Sequence, residues 1–480
     1  MDLSNMLISD GSTIRDALEL INQNGQGCGF VVNQENQMIG LVTDGDVRRY
    51  LLTSPQLNSS IIECMVSDFI FAWDTEPHDL TIKKLNSKVH IIPILGERRE
   101  VVNYISRKNK LFIPISEPTL GRKEVEYVSD CLASGWISSS GEYIKRFENE
   151  FSQIHEGRNA LAVSNGTVAI HLALVALGIG PGDEVIVPSL TFAASAAAIV
   201  HAGACPVFAD CDEKLCIDPE HLDELVTEKT KAIIIVHLYG RMAQMCELVE
   251  FAETNNLLVI EDAAEALGSR YKDRKAGVLG DAATFSFFGN KTITTGEGGM
   301  ILFKSEEIYE RASILRDHGM SKTKRYWHDF IGYNYRMTNI QAAIGLAQLQ
   351  GLDNILKQKR TIFNFYKNLF QSHKLITYYS DETDEEFNSN WLYTIVLDKR
   401  ININELILLL QNDGIDTRRV FYPLHSMPPY QKFKYANKIT QSIHANNHGL
   451  CLPSSANLTE QDLDRIGSAV LNALDKLENN

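Results

Sequence analysis

Several absences bound what this chain can be. Its eight cysteines include no C-x-x-C pair, and so few in so long a chain do not make a secreted disulfide scaffold. Reduced thiols in a cytoplasmic setting are expected. Basic residues are also short, with 46 Lys and Arg against 61 Asp and Glu and a formal charge of −15. General nucleic-acid binding needs a basic face to neutralise phosphates and is disfavoured, although a local pocket for one diphosphate stays open. No uninterrupted apolar stretch reaches about 18 residues. The opening M-D-L-S-N-M-L-I-S-D has no basic region followed by an apolar core, so neither export by a signal nor membrane spanning is expected.

What is present is the composition of a folded globular protein, 44% hydrophobic and 22% charged. At 480 residues the chain exceeds the size at which one core keeps growing, so two or three domains are expected.

The N-terminal region repeats itself. Cys28 to Val32 and Met38 to Val42 read as two strands joined by the polar turn N-Q-E-N-Q and followed by a helix. A weaker copy lies near residues 88 to 106, where K-V-H-I-I-P-I-L runs through G-E-R-R into V-V-N-Y-I. The pair resembles two CBS motifs, most strongly at G-L-V-T-D-G-D-V-R-R. That resemblance implies an adenine-nucleotide contact at Thr43 and Asp44, and so a regulatory nucleotide as partner. The other reading is that Thr43 or Asp44 caps the helix that follows.

From residue 113 apolar runs alternate with helical stretches. The expected strands are Ala160 to Val163, Glu184 to Pro188, Pro206 to Ala209, Lys231 to His237, Leu257 to Ile260, Ala283 to Phe287 and Met300 to Phe303. Helices between several of them make an α/β sheet. After the helical G-L-A-Q-L-Q-G-L-D-N-I-L-K-Q-K-R come the strand-like W-L-Y-T-I-V-L, N-E-L-I-L-L-L-Q-N-D-G and a last helix, which read as a smaller α+β domain. The expected boundaries are 1–112, 113–360 and 361–480.

Chemistry gathers in the middle of the chain. A-L-A-V-S-N-G-T-V-A-I-H-L-A-L passes from strand through Asn165-Gly166-Thr167 into a helix, and free N–H groups with a favourable dipole suit a phosphate there. L-L-V-I ends in Glu261-Asp262, placing an acid where open α/β sheets put ligands. A-T-F-S-F-F-G-N-K-T-I-T-T-G-E-G-G-M then carries Ser286 and Lys291. A lysine after a strand is ordinarily a solvated side chain; the ordered set of phosphate turn, Phe192, Asp262, Ser286 and Lys291 distinguishes this one.

That set resembles the DegT-type nucleotide-sugar aminotransferases. The likeness runs from about residue 113 to 480 through S-G-W-I-S-S-S-G, G-P-G-D-E-V-I-V-P-S-L-T-F, E-D-A-A-E-A-L-G and G-Y-N-Y-R-M-T-N-I-Q-A-A-I-G. It implies a fold-type I PLP-dependent transferase, α/β with a mixed seven-stranded sheet and a smaller α+β C-terminal domain, preceded by an α+β CBS-pair domain. Within the family, F-S-F-F-G-N-K-T-I-T-T-G-E-G-G-M looks most like the perosamine-forming branch, which aminates GDP-4-keto-6-deoxymannose for surface polysaccharide.

The resemblance implies roles for particular residues. Lys291 would form the Schiff base to pyridoxal 5'-phosphate and shuttle protons, for which it must be partly deprotonated. Asp262 would pair with the pyridine nitrogen, Phe192 would stack on the ring, and Gly166, Thr167 and Ser286 would hold the phosphate. Glu265 replaces a glutamine that many relatives place near the phenolic oxygen. Asn334 would be lent to the neighbouring subunit, making a homodimer with shared sites. Trp136, Ser138, Arg336 and His425 match segments lining the sugar pocket, and each is also open to a structural role. The implied partners are a nucleotide sugar and an amino donor, glutamate foremost. A UDP- or dTDP-linked sugar, a dehydratase with histidine in place of the lysine, and an inactive nucleotide sensor are the alternatives. Lys291 argues against the last two.

Overall fold

The computed structural model describes residues 3–53, 56–76, 80–81, 84–85, 89–106, 112–383 and 385–478. The chain divides into two compact units, Met1–Ile113 and Pro114–Asn480.

In the first unit the three-stranded sheet Leu7–Ser9, Cys28–Val32 and Met38–Thr43 pairs its first two strands parallel and its last two antiparallel. Ala72–Trp73, Ile91–Leu95 and Val101–Ser106 repeat that arrangement. Lys88, at the start of the second sequence copy, lies outside the described residues. The strands Leu7–Ser9 and Ala72–Trp73 were not expected; at three and two residues they carry too little alternation to read. Ile14, Ala17, Ile21, Val31, Val42, Val47 and Ile61 form one of the unit's cores.

Thr43 precedes the helix Asp44–Thr53 and caps it. Its hydroxyl donates to Asp46 Oδ2 at 2.5 Å and accepts from the Asp46 N–H at 3.2 Å, which satisfies a free helix donor. Asp44 pairs with Arg48 at 2.6 Å on the exposed side of that helix.

The second unit is built on a seven-stranded sheet. Its spatial order is Asn159–Val163, Gly299–Phe303, Ala282–Ser286, Leu258–Asp262, Thr230–Val236, Glu184–Pro188, Cys205–Ala209. All seven expected strands are in it. Gly299–Phe303 alone runs antiparallel to its neighbours; the other pairings are parallel. T-K-A-I-I-I-V is a near-continuous β-branched run because Thr230–Val236 has sheet on both sides and elements over both faces, and Ala232 to Val236 are buried.

Register brings the site together. Val163 pairs with Gly299 and Gly299 with Ser286, while Thr284 pairs with Asp262 and Asp262 with Val236. The carboxyl ends of four strands therefore lie along one sheet edge. The helix Gly166–Ala176 leaves that edge and buries Ala169, Ile170, His171, Leu172, Ala173, Leu174 and Ala176, so it is apolar nearly all round.

The long helical stretch expected across residues 345 to 360 is two helices, Asn339–Leu349 and Leu352–Phe370, broken at Gln350–Gly351. Residue 360, the expected boundary, lies within the second. Beyond it an antiparallel four-stranded sheet orders Ile376–Tyr379, Tyr393–Leu397, Gly449–Leu452 and Arg418–Arg419. The helices Ile403–Asn412 and Glu460–Glu478 pack against each other alongside.

Candidate active site

At the sheet edge lies a cavity of about 570 Å³ whose lining includes Gly166, Thr167, Phe192, Asp262, Glu265, Ser286 and Lys291. These are seven of the residues singled out from sequence, and they come from four separate stretches of the chain.

Asn165 begins the helix Gly166–Ala176, its side chain accepting from the Val168 N–H at 3.0 Å. The remaining N–H groups of the first turn are then free for an anion. A Cβ placed on Gly166 would lie 2.8 Å from Ser286 Cβ, so glycine lets the helix start close against the end of the neighbouring strand.

Asp262 and Glu261 sit side by side at a strand end and point to opposite faces. Asp262 is 6% exposed. It accepts from Ser195 Oγ at 2.7 Å and from the Ala264 N–H at 3.2 Å. Burial raises its pKa, opposed by those two donors and by the Lys291 charge. Glu261 is fully buried, yet its pKa is lowered. Burial opposes its charge, but His237 Nε2 at 2.9 Å and the N–H groups of Gly277, Leu279 and Gly280 outweigh it. His237 Nδ1 accepts from the Ala243 N–H at 3.3 Å, so Nε2 carries the proton. Glu261 therefore anchors the loop, and Asp262 faces the cavity.

Lys291 lies in the turn between Ala282–Ser286 and Gly299–Phe303. Its Nζ is 3.2 Å from Glu265 Oε1 and 3.9 Å from the centre of the Trp391 ring. Glu265 turns its other oxygen to the Tyr239 N–H at 2.8 Å. Burial raises the Glu265 pKa, opposed first by the Lys291 charge and then by that N–H. Tyr239 holds φ +55, a conformation costly for a non-glycine residue, and its hydroxyl accepts from the Phe421 N–H at 3.1 Å. Its ring stacks with Trp391 and Phe421, and Phe421 meets Phe192 at 5.9 Å. An aromatic chain thus runs from Phe192, 59% exposed, to the ring beneath Lys291.

Five expected site residues do not line this cavity of their own chain. Trp136 and Ser138 each accept from Asn339 through their carbonyls, at 2.7 Å. Arg336 pairs with Asp317 at 2.7 Å and bonds Asn334 at 3.1 Å. His425 Nδ1 shares a 2.7 Å bond with Ser189 Oγ, and burial lowers its pKa. Conversely, Trp391, Phe421, Glu297 and Arg418 line the cavity without having been picked out. Arg418 lies seven positions before His425 in T-R-R-V-F-Y-P-L-H, the one segment whose flagged histidine pointed towards it. Trp391 opens a strand-like run and has no local signal.

The donor set fits pyridoxal 5'-phosphate. A helix N-terminus with serine and threonine can hold the phosphate, a buried acid can face the ring nitrogen, and a lysine points into the same space. A seven-stranded mixed sheet with this site is the framework of fold-type I PLP-dependent aminotransferases. The chain belongs to the DegT/DnrJ/EryC1/StrS aminotransferase family, which matches residues 118–471, and residues 4–53 match the CBS domain.

Relatives include a GDP-perosamine synthase of Escherichia coli O157:H7, 46% identical over 73% of this chain and 96% of its own. Another GDP-perosamine synthase, from Vibrio cholerae, is 42% identical over 75% and 98%. Among solved structures, the aminotransferase TlmJ of Streptoalloteichus hindustanus covers 76% of this chain and 100% of its own at TM-score 0.72 and 29% identity. The cofactor of this family, and of this enzyme, is PLP.

Proposed function

We propose that the chain transfers an amino group from glutamate to C4 of a GDP-linked 4-keto-6-deoxy sugar, with GDP-4-keto-6-deoxymannose and GDP-perosamine as substrate and product, for O-antigen synthesis. The observation that carries this reading is the meeting of Lys291, Asp262 and the Gly166 helix start around one cavity. The relatives named GDP-perosamine synthase support the choice of sugar.

When bound, PLP supplies an electron sink for the carbanion formed at the amino donor's α-carbon. Asp262 holds the charge opposite the ring nitrogen. The first-turn N–H groups, Thr167 and Ser286 would hold the phosphate, and Phe192 would cover the ring. Lys291 anchors the cofactor; once displaced, its amine takes the proton from the donor's α-carbon and, in the second half-reaction, delivers a proton to C4 of the sugar. Glu265 orients that amine and accepts its hydrogen bond. Asn334 serves a second copy of the chain. The exposed apolar side chains Tyr326, Trp327, Phe330 and Ile331 nearby in sequence support a homodimer, with Trp136, Ser138, Arg336 and His425 bordering the sugar pocket. Asp44, half-exposed at its helix start, is the candidate nucleotide contact of the CBS region, beside Thr43. Eight cysteines without a disulfide support a cytoplasmic setting.

The test is a panel of GDP-, UDP- and dTDP-linked 4-keto sugars with glutamate. Turnover of the GDP-linked 6-deoxymannose derivative with 2-oxoglutarate release is expected. Turnover of UDP- or dTDP-linked sugars alone contradicts the choice of nucleotide.

A further inference from the structure

Trp391 stands apart from the other tryptophans. It is 3% exposed, whereas Trp73, Trp136 and Trp327 are 40%, 59% and 52% exposed. It also touches the Lys291 turn at two points: its ring lies 3.9 Å from Lys291 Nζ, and its Nε1 donates at 2.6 Å to the carbonyl of Asn290, the preceding residue. A shift in Trp391 therefore moves both the amine's surroundings and its backbone.

The segment that carries this ring is not relaxed by itself. Asn390 holds φ +52, a left-handed conformation that persists in a non-glycine residue when its surroundings fix it. Behind it, Lys359 projects from the helix Leu352–Phe370 and is 5% exposed. Its Nζ donates to the carbonyls of Asn390 at 3.3 Å, Trp391 at 3.1 Å and Ser454 at 2.9 Å. An ammonium has three N–H donors, and here three backbone carbonyls receive them. No carboxylate is recorded among its partners in the described residues.

A buried ammonium without an acid is costly, and burial draws this one down to about 7. An apolar side chain of similar length would fill the same space without that cost. What it would lack is the grip on three carbonyls from two separate loops.

We propose that Lys359 is a positioning residue for the amination: its side-chain nitrogen ties the backbone of Asn390, Trp391 and Ser454 together and so holds the Trp391 ring against Lys291. The proposal rests on the reading of Lys291 as the cofactor anchor. Lys359 does not line the cavity that holds Lys291 and Asp262, and it acts through the tryptophan. A misplacement of about 1 Å near reacting groups can cost up to about a hundredfold in rate, so the loss expected on removing the tie is about tenfold or more in kcat.

The experiment uses the full-length protein carrying Lys359→Met, with Lys359→Gln as an uncharged variant that keeps two of the three N–H donors. In the apoprotein, the buried tryptophan emission is assigned by its disappearance in Trp391→Phe, and its quenching by acrylamide is followed. Lys359→Met is expected to make that component more quenchable and to lower kcat about tenfold while KM for the sugar stays within about twofold. Lys359→Gln is expected to fall between. The visible band of bound PLP is expected to persist in both, which separates this proposal from the anchor assignment; loss of that assignment would appear instead as a band surviving Lys291→Ala. A folded Lys359→Met protein with unchanged Trp391 quenching overturns the proposal. So does failure of both variants to fold, because Lys359 is then required for folding and not for placing the ring.

Discussion

Lys291 Nζ and Glu265 Oε1 lie 3.2 Å apart, with the lysine side chain 13% and the glutamate side chain 5% exposed. The shielding strengthens the attraction relative to water. It also makes Glu265 bear two tasks, since its second oxygen holds the strained Tyr239 backbone.

Glu265→Gln keeps one acceptor oxygen, whose two lone pairs must then serve the Tyr239 N–H and the lysine together, and restores the residue expected in many relatives. Its kcat/KM should remain within about threefold of the unsubstituted enzyme. Glu265→Leu leaves the Tyr239 N–H and the lysine unpaired at about 1–3 kcal/mol, and kcat/KM should fall by roughly ten- to a hundredfold. Steady-state kinetics of both variants decide this, and equal losses would place the requirement in the charge alone.

Asp262 gives a pH signature in the apoprotein. Its folded pKa is raised by burial, so the folded state holds its proton more tightly than the unfolded state does. Below the unfolded value of 3.8 both states are protonated and the residue costs nothing. As pH rises through the folded pKa the buried charge appears and stability is lost. Denaturant titrations should therefore show the unsubstituted apoprotein losing stability relative to Asp262→Asn with rising pH. Added PLP should reverse that order, because Asp262→Asn cannot hold the ring nitrogen's charge.

Gly166→Ala drives a Cβ to within 2.8 Å of Ser286 Cβ. Overpacking of this kind costs about 1–3 kcal/mol and moves the helix start from the phosphate position. PLP affinity measured by equilibrium dialysis should drop about tenfold or more. Ser286→Gly in the same chain removes the colliding atom, and the double variant should bind better than the product of the two single losses predicts.

The seven sheet strands were legible because each is a short, mostly apolar run between turn or helical segments. Their register was not, and it is register that sets Ser286 and Asp262 along one edge with Gly166. The break at Gln350–Gly351 was hidden because glutamine and glycine interrupt the helical pattern too briefly to be read. At Thr43 the sequence allowed a ligand contact or a helix cap, and local geometry gives the cap through Asp46. Trp391 was invisible for a different reason. It reaches Lys291 across 100 positions of sequence, and nothing in W-L-Y-T-I-V-L announces the contact.

The central assignment is the anchoring of PLP by Lys291. Visible absorbance of the purified protein with bound cofactor, compared with Lys291→Ala after the same treatment, tests it most directly. A yellow band present in the unsubstituted protein and lost in the variant, with transamination lost alongside, is the predicted result. An unchanged band in Lys291→Ala would contradict it.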